Sequence, residues 1–294
     1  MDYPDFAHKV AKKVKLNKNN VGILVCGSGT GMNIAANKHK NVRAAQCFNL
    51  KSTKLSRLHN DANIITLGSR LLNKKNALNS KMIEELAICT DYANFNDSIR
   101  AVIYRSNGDT FCSGLDLNDF KDSKNSIQLA DIFNKLHKPK LVVLEGNVYA
   151  GGVLIVACAN HVISKKEIKL SLPEVKRGLF PFQVMDSLLR VMPERIVMDW
   201  CVKGKTLDAE YCHKFNLIQK IVNNNIDESI SEWLNKIIRM SPNAVKSGLK
   251  IYDELYIDDE KIQKLNMELR KLKDSDDFLE GIKAFNEKRN PEWK

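Results

Sequence analysis

Phe111-Cys112-Ser113-Gly114-Leu115-Asp116-Leu117 is the stretch on which the fold turns. It follows an apolar strand, Ala101 to Arg105, and its glycine allows a bend that aims the next backbone N–H, that of Leu115, into a cavity. Downstream, a strand from Leu141 to Leu144 leads to Gly151-Gly152, which opens a small-residue helix to Ala159 and places a second N–H at a positive helix end. Two converging N–H groups make an oxyanion hole, and losing one such donor typically costs about 3 kcal/mol of transition-state stabilisation. Beyond the apolar strand Ile168 to Leu172 comes Pro173-Glu174, ahead of Gly178-Leu179-Phe180-Pro181. A carboxylate in that apolar setting can have its pKa raised to that of a useful acid/base. Taken singly, a Gly-Gly pair is as easily a close helix contact and a lone glutamate a solvated charge. Their order along the chain favours chemistry.

Working outward, Ser80 reads as an N-cap with Glu84 near the capping-box position, opening a helix to about Asn94. A helix from about Ser126 to His137 lies between the two strands at 101–105 and 141–144. From Val184 onward the chain is mostly helix at apolar spacings of three and four, broken at Pro193, Asn223 to Asn225 and Pro242. The first 70 residues alternate instead. Strands at Val21 to Cys26, Val42 to Cys47 and Asn63 to Gly68 interleave with helices at Met32 to about Lys40 and Thr53 to His59, as parallel strands joined by crossovers require. Between the first strand and helix lies Gly27-Ser28-Gly29-Thr30-Gly31, whose free N–H groups suit an anion. That loop lacks both the Gly-Lys-Ser/Thr of a P-loop and the last glycine of the dinucleotide fingerprint. Cys26 ends the strand beside those N–H groups, where a thiolate would be stabilised and could shuttle a proton; the plainer alternative is a small buried hydrophobe.

The 294 residues carry 44% hydrophobic residues, enough for a real core. The longest uncharged apolar run, Val153 to Ala159, is far short of the roughly 18 residues of a membrane span. Met1 is followed by Asp2 and Asp5 with no apolar secretory core, and seven widely spaced cysteines hold no C-x-x-C pair. A cytoplasmic protein with reduced thiols is expected. Net charge is +11, but residues 1–72 hold 12 basic and three acidic groups while the other 222 hold 34 and 32. The excess belongs to one end, without an aromatic platform or reader motif, so no nucleic-acid partner is expected. Cys158-Ala-Asn-His161 and Cys212-His213 are isolated pairs, so no metal is expected either.

Asp2-Tyr3-Pro4, Gly22 to Lys38, Arg43-Ala44, Ser56 to Asn63 and Gly68-Ser69-Arg70 resemble the middle of a B-type ribose-5-phosphate isomerase. The resemblance implies that Cys26 moves a proton between adjacent carbons. Gly27, Ser28, Gly29, Thr30 and Gly31 would hold the enediolate oxygens, His59 would help open the sugar ring, and Arg70 would contact the phosphate. That family begins with a strand bearing Gly-Cys-Asp-His, expected upstream of Met1, and ends in a helix with further phosphate-binding arginines. Neither is present, so a partial domain with an unpaired sheet edge is expected.

Asn76-Ala77-Leu78-Asn79, Arg100 to Ile103, Phe111 to Leu117, Gly146 to Gly152, Pro173-Glu174, Gly204 with Leu207 to Glu210, and Phe278 to Pro291 resemble the enoyl-CoA hydratase/isomerase (crotonase) superfamily. The resemblance implies oxyanion donors at the backbone N–H of Leu115 and of Gly151, holding the thioester oxygen of an acyl-CoA as it becomes an enolate. Glu174 matches the second of two hydratase glutamates, the first falling on Leu154. Hydration divides its work between two carboxylates, so one glutamate favours a double-bond isomerase. Ala77, Leu78, Asp116 and Leu117 fall where that family contacts coenzyme A. Its first strands are also missing, and Ile64 to Leu67 stands in their place, one strand serving both patterns, as after a gene fusion, deletion or assembly error.

The expected architecture is α/β: a partial parallel, Rossmann-like segment over residues 1–71, then a crotonase-type ββα spiral domain over 72–294. Within the latter, residues 72–222 form the spiral core and 223–294 a helical trimerisation region. Coenzyme A is expected as part of the substrate, with no tightly bound cofactor. A homo-oligomer, trimer or hexamer, and no membrane partner are expected. The alternatives are a ribose or allose phosphate isomerase acting through Cys26, taking a sugar phosphate, and a non-catalytic fusion remnant.

Overall fold

The computed structural model describes residues 3–17, 20–26, 28–47, 50–68, 76–116, 129–256 and 258–293. Gly27, Arg70, Leu117 and the expected boundary at 71/72 lie outside them. The first part runs α1 (Tyr3–Lys15), β1 (Gly22–Cys26), α2 (Thr30–Asn37), β2 (Ala44–Gln46), α3 (Leu50–Asn60) and β3 (Ile64–Gly68). Its three strands form one parallel sheet in the order β1, β3, β2. Alternation along β1 turns Leu24 and Cys26 inward onto Ala7, Ala11 and Val14 of α1 and Met32, Ala35 and Ala36 of α2, and leaves Ile23 and Val25 exposed.

β3 lies in the middle of the first sheet, its two hydrogen-bonding edges taken by β1 and by β2. The expected open edge is β1, partly covered: Asn107 donates its side-chain N–H to Val25 O at 3.1 Å. Val21 packs on Ala93, Ile99 and Leu136, and the Phe6 ring lies under the Arg105 guanidinium at 5.2 Å.

The second part continues α4 (Ser80–Phe95), β4 (Val102–Arg105), β5 (Thr110–Cys112), α5 (Leu129–Asn134), β6 (Lys140–Leu144), β7 (Asn147–Tyr149), α6 (Gly151–Ala157), β8 (His161–Lys165) and β9 (Lys169–Ser171). A 3-10 turn (Glu174–Arg177) follows, then α7 (Phe182–Leu188), α8 (Glu194–Lys203), β10 (Thr206–Asp208), α9 (Ala209–Lys214) and β11 (Lys220–Val222). Four helices close the chain: α10 (Ile226–Ile237), α11 (Pro242–Tyr256), α12 (Asp259–Lys273) and α13 (Asp276–Glu287). The strands β5, β7 and β9 lie in one sheet and β4, β6 and β8 in the other, so each ββ step from β4 to β9 sends one strand to each. This alternation is the ββα spiral. Continuous apolar runs make its centre, with every residue of β6 buried and Val153 to Ala157 of α6 buried beside Leu170, Leu172 and Trp200.

Some local expectations shift. The N-cap of α4 is Asn79 rather than Ser80: in extended backbone its Oδ1 reaches the Met82 N–H at 2.8 Å. The three-residue strands β5, β7, β10 and β11 escape a reading by periodicity because they are too short to show one.

Gly146 lies between the two sheets, where a Cβ would sit 2.6 Å from Thr110 N and 2.8 Å from Phe111 N. Backbone cannot yield as a side chain does, so Gly146→Ala is expected to cost about 1–3 kcal/mol. A urea-unfolding midpoint unchanged from the parent would contradict this packing.

Candidate active site

The segment 76–79 and the stretch 113–116 run alongside each other through a parallel bridge at Leu78 and Leu115. Leu78 N–H donates to Gly114 O at 2.8 Å, and Asp116 N–H donates to Leu78 O at 3.0 Å. In this pattern Leu78 spends both its backbone groups on the neighbours of Leu115, and the N–H of Leu115 itself points the other way. Gly114 makes the bend at φ +89°, and a Cβ there would lie 2.7 Å from the Ala150 Cβ and 3.7 Å from Gly151 N. Gly151 is the first residue of α6, where helix geometry leaves the N–H without an internal partner. It lies against Leu78, Leu115 and Leu129. The structure therefore brings Leu78, Leu115 and Gly151 together.

Ala150, absent from the sequence-based candidates, sets the angle of entry into α6. It holds φ 51°, ψ −126°, a region costly for any residue with a Cβ, of order 1–3 kcal/mol. Its N–H donates to Ser171 O at 2.9 Å, which ties the helix start to the end of β9. Three residues beyond Ser171 stands Glu174, opening the 3-10 turn. Its Oε2 is buried with no hydrogen-bond partner. Burial pushes the carboxyl up to about 7, against smaller opposing effects of its own backbone N–H and of Arg177. A group titrating there can both take and return a proton near neutral pH. Leu154 is fully buried among the apolar residues of α6, with no carboxylate at its place.

Of the expected coenzyme A contacts, Leu78 is 3% exposed, its side chain belongs to the core, and its N–H and C=O are both paired across the bridge. Ala77 and Asp116 are half-buried beside the bridge, and Leu117 lies outside the described residues.

In the first part, Gly29 N–H donates to Cys26 Sγ at 3.2 Å, so the glycine loop does aim an amide at the sulfur. Ser28 O accepts from Gln46 Nε2 at 2.7 Å, Thr30 Oγ1 donates to Gln46 Oε1 at 3.1 Å, and Gly31 lies inside α2. His59 is exposed on α3, and no hydrogen bond among the described residues joins it to Cys26. Gly27 and Arg70 lie outside the described residues. Among the described residues no three ligating side chains cluster as a metal site, and no helix is long and apolar enough to cross a membrane.

The family model for enoyl-CoA hydratase/isomerase matches residues 60–294. The chain belongs to the enoyl-CoA hydratase/isomerase family. A ribose/galactose isomerase model matches residues 1–85, and the protein is a fusion of the two kinds of segment. A probable enoyl-CoA hydratase of Bacillus subtilis is 24% identical over 234 residues, 74% of this chain and 91% of the relative. A probable ribose-5-phosphate isomerase B of Mycoplasma pneumoniae is 42% identical over 84 residues, 29% of this chain and 54% of the relative. The chain thus spans about half the length of the sugar-phosphate isomerases it matches. Among solved structures, an enoyl-CoA hydratase/isomerase of Pseudoalteromonas atlantica superposes with TM-score 0.66 at 25% identity, covering 76% of this chain and 94% of that one. The crotonase spiral, its two sheets and its helical C-terminus are those of this family.

The raised carboxyl of Glu174 has a consequence for stability. Its folded pKa of about 7 exceeds the ordinary 4.5, so the native state holds the proton more tightly and loses stability as pH rises through that interval. Glu174→Gln, which removes the charge, is expected to raise Tm relative to the parent at pH 8 more than at pH 4. Equal shifts at the two pH values would show that the carboxyl is not desolvated.

Proposed function

We propose that the second domain isomerises the double bond of an enoyl-CoA thioester, with Glu174 as the sole acid/base. The acyl group arrives as its coenzyme A thioester, the thioester oxygen accepting from the N–H groups of Leu115 and Gly151. Glu174 in its ionised form removes a proton from the substrate carbon, and the negative charge passes to the oxygen between the two amides. The protonated carboxyl then returns the proton to the carbon two positions along the same unsaturated system. No proton is gained or lost overall, so no activated water and no second carboxylate are needed. The observation that carries this reading is the buried, unpartnered Oε2 of Glu174, with the apolar Leu154 where a hydratase would hold its second carboxylate.

The domain division at 71/72, the helical region after 222 and assembly as a trimer or hexamer belong to the same proposal. Ile251, Leu255 and Tyr256 of α11 are exposed apolar side chains of the kind an oligomer covers. Light scattering on the full chain is expected to give a trimer or a multiple of it; a monomer would remove that part.

A panel of 2-enoyl- and 3-enoyl-CoA esters followed by chromatography is expected to show interconversion, with hydration of crotonyl-CoA far slower. Glu174→Gln is expected to lower turnover about 10²- to 10⁴-fold, the usual worth of a positioned acid/base. Hydration at least as fast as isomerisation, or unchanged turnover in that variant, would overturn the reading.

A further inference from the structure

The turn that carries Glu174 ends at Arg177, and α13 crosses it backbone to backbone. A Cβ on Gly281 would lie 2.5 Å from the Arg177 carbonyl carbon, and one on Gly178 would lie 2.5 Å from the Asp277 carbonyl. Only glycine at both places permits this approach, so the C-terminal helix is locked to the turn. One helical turn beyond Gly281, on the same face, Phe285 receives the Arg177 guanidinium, with Cζ 4.3 Å from the ring centroid. Arg177 has no carboxylate oxygen within ion-pair distance among the described residues. It stands three residues after Glu174, and in a 3-10 turn side chains three apart eclipse, so the two lie on one side.

We propose that Arg177, held against Phe285 of the C-terminal helix, is a positioning residue that sets the charge state of Glu174. It rests on the acid/base role given to Glu174 above. A guanidinium stays charged at any working pH, and its planar face suits an aromatic ring. Stacking on Phe285 keeps it from closing onto Glu174 as an ion pair, which would hold the carboxylate permanently ionised and neutralise it as a base. Held at that remove it still favours the ionised form by its field, while burial favours the protonated one. The two effects oppose each other at Glu174, and burial in turn weakens the Arg177 charge.

The other groups near the turn are fewer in effect. The thiol of Cys201, from α8, is buried and itself pushed up to about 12, first by burial and then by Glu174. On α13, Asp277 presents its backbone to Gly178 and its side chain to solvent, while Glu280 is paired with Arg289 at 2.5 Å. Lys176, on the turn itself, is exposed.

The test is a titration of the full-length protein carrying carboxyl-13C glutamate, with the Glu174 signal assigned by its loss in Glu174→Gln. In Arg177→Gln the Glu174 midpoint is expected to rise by about one pH unit, the low end of what an opposite charge nearby contributes. Arg177→Lys brings the midpoint most of the way back to the parent value, and Phe285→Leu, which frees the guanidinium to close on Glu174, lowers the midpoint below that of the parent. An Arg177→Gln midpoint within error of the parent overturns the proposal; should that variant fail to fold, a Phe285→Leu midpoint within error of the parent does so instead. The acidic limb of the turnover profile is expected to follow the same midpoints. Full turnover in Glu174→Gln combined with a shifted midpoint in Arg177→Gln would sink the acid/base reading and leave the positioning intact.

Discussion

The second domain is organised around one close approach of backbone, that of the bend at Gly114 to the start of α6 at Ala150 and Gly151. Buried backbone N–H and C=O groups must be paired wherever they can be, since a buried amide without a partner costs about 1–3 kcal/mol. Their pairing here fixes both pieces in place. Leu78 pairs with Gly114 and Asp116, which fastens the strand on both sides of Leu115 without touching the Leu115 amide. Ala150 gives its N–H to Ser171, in a strained backbone conformation, so that Gly151 begins the helix. The missing side chain at Gly114 is what lets these two pieces of backbone meet.

The rigidity this requires comes from the core beneath. Gly152 has Cys112 and Val148 within Cβ contact distance, and α6 is apolar on every side, as a helix sunk into a core must be. Burial likewise desolvates the Glu174 carboxyl and pushes its pKa up to about 7. The C-terminal helix takes part as well, since its glycine contact ties the end of the chain to the 3-10 turn that carries Glu174.

The first part obeys a different constraint. Three parallel strands with helices α1 and α2 on one face make a small core that ends at β1. Natural sheets seldom leave such an edge bare. In this chain the edge is met by the Asn107 side chain, and the start of β1 by the cluster of Ala93, Ile99 and Leu136. The fusion therefore has physical contact between its halves, from groups that neither half's motifs would single out.

Much of this was legible along the chain. Apolar runs such as Leu141 to Leu144, glycines at the bends and a glutamate after a buried strand all announce themselves by composition and spacing, because strand burial and backbone freedom are local properties. The convergence of Leu115 with Gly151, the strain at Ala150 and the reach of Phe285 to Arg177 across more than a hundred residues were not legible. They depend on which surfaces pack together. The same holds for β3: its residues read equally well as the end of one pattern and the beginning of another, and only its pairing on both edges assigned it to the first sheet. The residues that carry charge and the bends that free an amide were determined by the sequence itself. Their mutual distance, and with it the protonation of Glu174, was decided by tertiary packing, because desolvation is a property of the surroundings and not of the side chain.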